Sequence, residues 1–202
     1  MKKSLMSAFL LPVAGVSLAS CGVNSVPTAE EEAKARWADV QAAYQHRASL
    51  IPNLVATTKG AAASEQQILT NVTEARARAG SIQITTDDLS DPARLRQFSE
   101  SQNQLTQALG QLRTVVEAYP DLKSQQNFQS LMQQLESTEN RITIAIRDYN
   151  SAVQAYNTRI RTFPDVIGAK VFYGAEPMAT FQATTPNADQ APTVDFGGNT
   201  SG

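Results

Sequence analysis

LMQQLESTENRITIAIRDYNSAVQAYNTRIRTF, residues 131–163, decides how this chain folds. Leu135, Ile142, Tyr149, Tyr156 and Phe163 recur every seven residues, and Leu131, Thr138, Ala145 and Ala152 hold a companion position. Ile146, Val153 and Ile160 widen the same face. A strand turns alternate residues to one side, so a seven-residue apolar repeat held this long belongs to a helix with one buried stripe. The pattern predicts a long helix that begins between about Leu122 and Asn127 and ends at Pro164, with Phe163 as its last core residue.

The same period runs upstream. Leu95, Phe98, Gln102, Leu105, Leu109, Leu112, Val116 and Tyr119 form a second stripe, introduced by Asp91-Pro92 and stopped at Tyr119-Pro120-Asp121. Aspartate followed by proline reads as an N-cap and a first helical residue that needs no N–H. A first stripe opens at Thr28-Ala29-Glu30-Glu31, which reads as a capping box, and continues through Trp37, Val40, Tyr44, Ile51, Leu54, Thr58, Ala61, Glu65, Ile68, Val72, Ala75 and Ala79 to a stop at Gly80. Pro52 is expected to kink or break that helix near Leu50-Ile51, giving three long helices or four. Residues 81–90 are loop-like, and Val166 to Tyr173 is expected to be a turn of helix closing one end. The fold class is therefore all-α, an antiparallel bundle. At ~1.5 Å per residue, helices of roughly 28 to 50 residues would form a rod some 40 to 75 Å long.

The two ends differ from the middle. Lys2 and Lys3 precede an apolar run from about Leu5 to Leu18, which closes on Leu18-Ala19-Ser20-Cys21. That run is short of the ~20 residues that span a bilayer and has the three parts of a secretory signal. Its end is similar to the lipobox of bacterial lipoproteins. The resemblance implies that Cys21 carries diacylglycerol, becomes the mature N-terminus and is usually N-acylated, so that two or three acyl chains hold the protein to a membrane. Cys21 is the only cysteine, so a disulfide within the chain is excluded. Gly22 in place of an aspartate favours, by resemblance to Gram-negative sorting, the periplasmic face of the outer membrane. The expected organisation is a signal peptide at 1–20, a lipidated tether at 21–27, a bundle at 28–175 and a flexible Pro/Thr/Gly-rich tail at 176–202.

Inventory limits the chemistry. His46 is the only histidine, which leaves no material for a Ser-His-Asp triad, a Cys/His dyad or a zinc cluster. Neither common phosphate loop is present, and no cofactor or metal is expected. The formal charge of −2, about −4 once Lys2 and Lys3 are removed, offers no basic stripe for nucleic acid. Carboxylate pairs remain possible material for hydrolysis.

Five successive segments then narrow the reading: Arg47-Ala-Ser-Leu-Ile-Pro-Asn-Leu-Val55 followed by Glu65, Glu117-Ala-Tyr-Pro-Asp-Leu-Lys123, Thr138-Glu-Asn-Arg-Ile142, Arg147-Asp-Tyr-Asn150, and Val153-Gln-Ala-Tyr-Asn157 with a later Phe163-Pro164. In this order and spacing they resemble the LemA family across about residues 30–175. The resemblance implies an antiparallel helical bundle attached to a membrane at its N-terminus, without an assigned biochemical activity. The lipobox departs from members that carry an uncleaved membrane helix there, which changes the anchor rather than the bundle.

Read from the residues, these segments supply a structural polar network. Glu65 falls on the apolar seam, where an unpaired carboxylate would cost several kcal/mol. Its candidate partners are Arg47, Arg76, Arg141 and Arg147, while Glu117 and Glu139 abut seam positions and Asn150 and Asn157 flank the seam tyrosines. Trp37 is expected to pack and His46 to lie on the surface. Three functions fit: a non-enzymatic scaffold or adaptor with an envelope protein partner, a carboxylate-based envelope hydrolase, and a carrier of a small ligand or peptide in an inter-helix groove.

Overall fold

The computed structural model describes residues 24–182. The expected signal peptide, Cys21 and the part of the expected tail beyond residue 182 lie outside the described residues. Helix α1 spans Ser25–Ala61 and is followed by a 3-10 turn, Ala63–Glu65. Helix α2, Gln66–Ser81, leads through a second 3-10 turn, Asp87–Ser90, into α3, Pro92–Val116. The short α4, Pro120–Ser124, precedes α5, Gln126–Arg159. A last turn of helix, α6 at Asp165–Gly168, opens into a π turn at Ala169–Tyr173. The protein is all-α, and the 37 residues of α1 make a rod of ~55 Å.

Two antiparallel pairs build the bundle. Arg159 of α5 donates to the carbonyl of Ser25 at one end of α1, and Glu139 meets Arg47 further along. Twenty-two residues up α1 thus match 20 residues down α5. Helices α2 and α3 are likewise opposed, with Gln102 against Ala79 and, just before α2 and just beyond α3, Glu65 against Tyr119. The core divides into two halves. The half nearest Ser25 is aromatic, with Trp37, Tyr44, Phe98, Tyr149 and Phe181. The far half is aliphatic, with Leu69, Val72, Leu105, Leu109, Leu112 and Leu122.

Most expected stripe residues are buried, but the segment boundaries differ in informative ways. Asp91 caps α3 as expected, accepting from the backbone N–H of Ala93 at 2.8 Å. Thr28 does not cap α1. The helix starts three residues earlier, because Val26 is wholly buried and draws the first turn inward, and the Thr28 hydroxyl bonds back to Asn24 O at 2.7 Å. Pro52 does not break the chain either. The break comes at Ala62, where the backbone leaves helical angles (φ −129°, ψ 55°), so the bundle has four long helices. Phe163, expected as the last core residue, is 80 % exposed because α5 ends before it at Arg159.

The largest departure is at the C-terminus. Residues 176–182, expected to belong to a flexible tail, run extended along the bundle, and Met178 and Phe181 enter its core. Gly174 makes this reversal possible with φ at 55°, a left-handed conformation that strains any residue bearing a Cβ.

Candidate functional site

Where the two core halves meet, a polar layer crosses the bundle around Arg47. The guanidinium is buried, yet four hydrogen bonds receive it. Nη1 donates to Thr106 Oγ1 at 2.9 Å and Glu139 Oε1 at 3.0 Å, and Nη2 to Gln102 Oε1 at 2.7 Å and Gln102 O at 3.2 Å. Gln102 passes the connection on, donating through Nε2 to Ala79 O at 3.2 Å. One arginine therefore joins α1 to α3 and α5 directly and to α2 through Gln102. Its Cζ also lies 5.0 Å from the centre of the Tyr44 ring, within cation–π range. Burial pushes the Tyr44 hydroxyl up to about 12, with Arg47 opposing and Glu139 reinforcing that shift. The pair is lopsided. Arg47 is closed to water while the Glu139 side chain keeps 40 % exposure, so only one of the two charges bears the full desolvation penalty.

A second polar contact explains how α1 survives Pro52. Proline has no N–H to give the carbonyl four residues back, so Ala48 O loses its helical donor. Arg76 of α2 fills that place, donating Nε to Ala48 O at 2.9 Å. The segment Arg47–Val55 thus holds two arginine contacts within a single turn, one made by its own arginine and one received from α2.

The third feature is a ladder of tyrosine and asparagine on α5. Asn150 makes a two-point bond to Phe181, its Nδ2 donating to the carbonyl at 2.8 Å and its Oδ1 accepting from the amide at 2.8 Å. Asn157 does the same to Met178, at 2.8 and 2.9 Å. The Tyr149 hydroxyl donates to Ala179 O at 2.9 Å and that of Tyr156 to Glu176 O at 3.0 Å. The spacing follows from backbone geometry. Seven residues of helix rise ~10.5 Å, and three residues of extended chain span ~10 Å. A Tyr-Asn pair repeated after seven residues therefore reads an extended strap in steps of three. The strap's other side is tied by Ala179 N to Leu89 O at 2.8 Å and by the Ser99 hydroxyl to Gln182 O at 2.8 Å. Burial raises both ladder tyrosines above the ordinary phenol range, keeping their hydroxyls protonated as donors.

At the strap's centre Phe181 meets three rings, with centroids 5.7 Å from Trp37, 6.0 Å from Phe98 and 6.3 Å from Tyr44. Such pairs contribute about 0.5–1.5 kcal/mol each beyond their area burial. Trp37 packs in this cluster, and His46 is exposed.

The remaining sequence candidates lie elsewhere. Glu65 is half-buried in the turn between α1 and α2 rather than on the apolar seam, and it accepts from the Tyr119 hydroxyl at 2.9 Å instead of meeting an arginine. The helix ends before it, which removes it from the stripe. Glu117 is exposed and paired with Lys123, which holds its carboxyl below the usual range. Arg141 is exposed beside an open groove lined by Asp39, His46 and Asp148, and Arg147 is exposed and paired with Asp148 at 3.2 Å. Sequence reasoning missed Gln102 and Thr106 as partners of Arg47, and Met178 and Phe181 as core residues. The seven-residue repeat of Tyr-Asn was the available signal for the strap.

Together these features define a class: an all-α bundle pinned across its middle by a buried arginine and closed along one side by its own C-terminal strap. The chain belongs to the LemA family, whose family model matches residues 36–196. It is 27 % identical over 157 residues to magnetosome protein MamQ 2 of Paramagnetospirillum magneticum, and 26 % identical to magnetosome protein MamQ of Magnetospirillum gryphiswaldense, each match covering 70 % of this chain and 58 % of the relative. It is 26 % identical to protein LemA of Metamycoplasma hominis over 124 residues, 61 % of this chain and 52 % of that one. The chain thus spans little more than half the length of these relatives. The matched region takes in both the arginine layer and the strap.

Proposed function

We propose that this chain is a cell-envelope lipoprotein, held to a membrane by acyl chains on Cys21, whose rod presents a surface to an envelope protein partner without catalysing a reaction. The observation that carries the reading is how the motif side chains are used. Arg47 and Glu139 bind each other across the core, Asn150 and Asn157 bind the strap, Glu117 binds Lys123 and Glu65 binds Tyr119. Side chains occupied in holding helices in register support a scaffold better than a reaction centre. A hydrolase would need two carboxylates facing one substrate, and Glu65, Glu117 and Glu139 each face a different partner. A periplasm-facing outer-membrane placement follows from the lipobox reading and Gly22.

The test is in-cell crosslinking with mass spectrometry, wild type against Cys21→Ser, alongside fractionation. A partner crosslinked at defined bundle residues in the wild type, and lost with Cys21→Ser, is the expected result. A Cys21→Ser protein that stays with the membrane would refute the lipid anchor. A turnover reaction abolished by Glu139→Gln or Glu65→Gln in a folded protein would refute the non-enzymatic role.

A further inference from the structure

We propose that the tip of the bundle formed by Phe163 and the 165–173 turn is a membrane-contacting surface that seats its apolar side chains in the headgroup region of a lipid bilayer. Phe163 is 80 % exposed, Val171 69 %, Phe172 68 %, Ile167 54 % and Tyr173 43 %. Among the described residues only Ile144 joins them as an exposed large hydrophobic. The expected cap on the core is therefore turned outward. Gly168 and Ala169 are the buried members of the turn, and the large apolar residues around them point to water. Five large apolar side chains left exposed between residues 163 and 173 mark a surface that another phase or partner covers.

Three observations select a bilayer as the occupant. The first is position. Arg159, at the end of α5, bonds to Ser25, so this tip lies at the end of the rod where α1 begins. Cys21 stands four residues before Ser25, a separation of at most ~14 Å even when fully extended. Attachment through Cys21 would hold the tip close to the bilayer. The second is composition: two phenylalanines and a tyrosine among aliphatic residues suit the interface, where an aromatic ring meets both tails and headgroups. The third is charge. Arg159, Arg161 and Lys170 are exposed around the patch and complement anionic headgroups. The acidic residues at this end are Asp165, half-buried, Glu176, exposed, and Glu30, Glu31 and Glu32 on the first turns of α1. Of these last, Glu30 and Glu31 are paired with Lys34 and Glu32 with Arg36. With the tip in the bilayer the rod is held to the membrane at two points, the attachment and the tip.

This inference rests on the membrane attachment proposed above, and the experiment separates the two. The full chain carrying Phe172→Cys, and separately Ile167→Cys, is labelled with an environment-sensitive nitrobenzoxadiazole probe. Asp121→Cys at the opposite end serves as control, and the unsubstituted chain accounts for any label on Cys21. Each is reconstituted in vesicles of phosphatidylethanolamine and phosphatidylglycerol and floated. Blue-shifted emission quenched by spin-labelled lipid at residues 167 and 172, and absent at 121, is the expected result. Flotation with water-like emission at both tip positions would overturn the tip contact while leaving attachment intact. A blue shift without lipid quenching would mean that protein covers the patch, and would overturn it too. Failure to float would refute attachment and the tip contact together.

Discussion

Arg76 supplies the hydrogen-bond donor that Pro52 removes from α1. Its Nε lies 2.9 Å from Ala48 O, the carbonyl that a residue 52 with an N–H would bind. A proline inside a helix ordinarily weakens it by about 3 kcal/mol, partly through that orphaned acceptor. Here the acceptor is used to join α1 to α2. Loss and gain are coupled, which a double-mutant cycle can read. Arg76→Met alone should destabilise by about 1–2 kcal/mol. In a Pro52→Ala background, where the new N–H serves Ala48 O, the same change should cost only a few tenths of that. Urea denaturation of the four proteins measures it, and equal costs in both backgrounds would sink the idea.

The Arg47 layer predicts an ordering of substitutions. Arg47→Ala removes four hydrogen bonds and a packed side chain, and should cost about 3–5 kcal/mol. Arg47→Lys keeps the charge but cannot reach Gln102, Thr106 and Glu139 together, and should cost about 2 kcal/mol. Glu139→Gln should be milder still, about 1–2 kcal/mol, because an amide oxygen can still accept from Nη1 at a site open to water. Equilibrium denaturation gives the ranking. Glu139→Gln more damaging than Arg47→Ala would mean that the charge pair, not the four-way junction, matters.

How far the sequence disclosed this fold depends on what each element rests on. The stripes of α3 and α5 were legible because burial on one face is periodic, and Asp91 because a cap is a local feature. The break at Ala62 was hidden: Thr58, Ala61 and Glu65 continue the spacing of three and four, and no proline or strong cap interrupts them. Pro52 misled in the opposite sense, since the donor that rescues it comes from a residue 24 positions away. Gln102 was read as a stripe residue and its bond to Arg47 was not, because stripe membership says nothing of a partner on another helix. The strap failed for a different reason. An extended segment held by side chains has no periodic burial of its own, and its composition resembles a tail.

The strap should prove part of the folded unit. Phe181→Ala should destabilise by about 3–5 kcal/mol, as for other large buried aromatics. Asn150→Ala and Asn157→Ala should each cost about 1–3 kcal/mol by leaving strap amides and carbonyls without partners. The costs of Asn150→Ala and Phe181→Ala should fall short of additive, since either one loosens the contacts the other removes. Hydrogen exchange at the Met178 and Phe181 amides reports the strap directly. Fast exchange there in the wild type would show that the segment is not docked.

The tyrosines that line this region predict how the fold fails in alkali. An unfolded tyrosine ionises near pH ~10. In the folded protein burial holds Tyr44 at about 12 and raises Tyr149 and Tyr156 as well. Since the folded values are the raised ones, the unfolded chain binds fewer protons above pH ~10, and stability must fall as pH rises. The stabilisation is fully present below pH ~10 and is lost as pH climbs toward the folded values, about 12 for Tyr44. Each buried tyrosine adds a slope of up to ~1.4 kcal/mol per pH unit in that window. Loss of the Tyr149 proton also removes the donor to Ala179 O, so the strap should loosen along with global stability. Tyr149→Phe is the informative comparison. It lacks the ladder bond at every pH, so it should start less stable than the wild type, yet decline more shallowly above pH ~10. Urea midpoints measured across that range decide it. Parallel curves for wild type and Tyr149→Phe would mean that this hydroxyl does not resist ionisation in the folded protein.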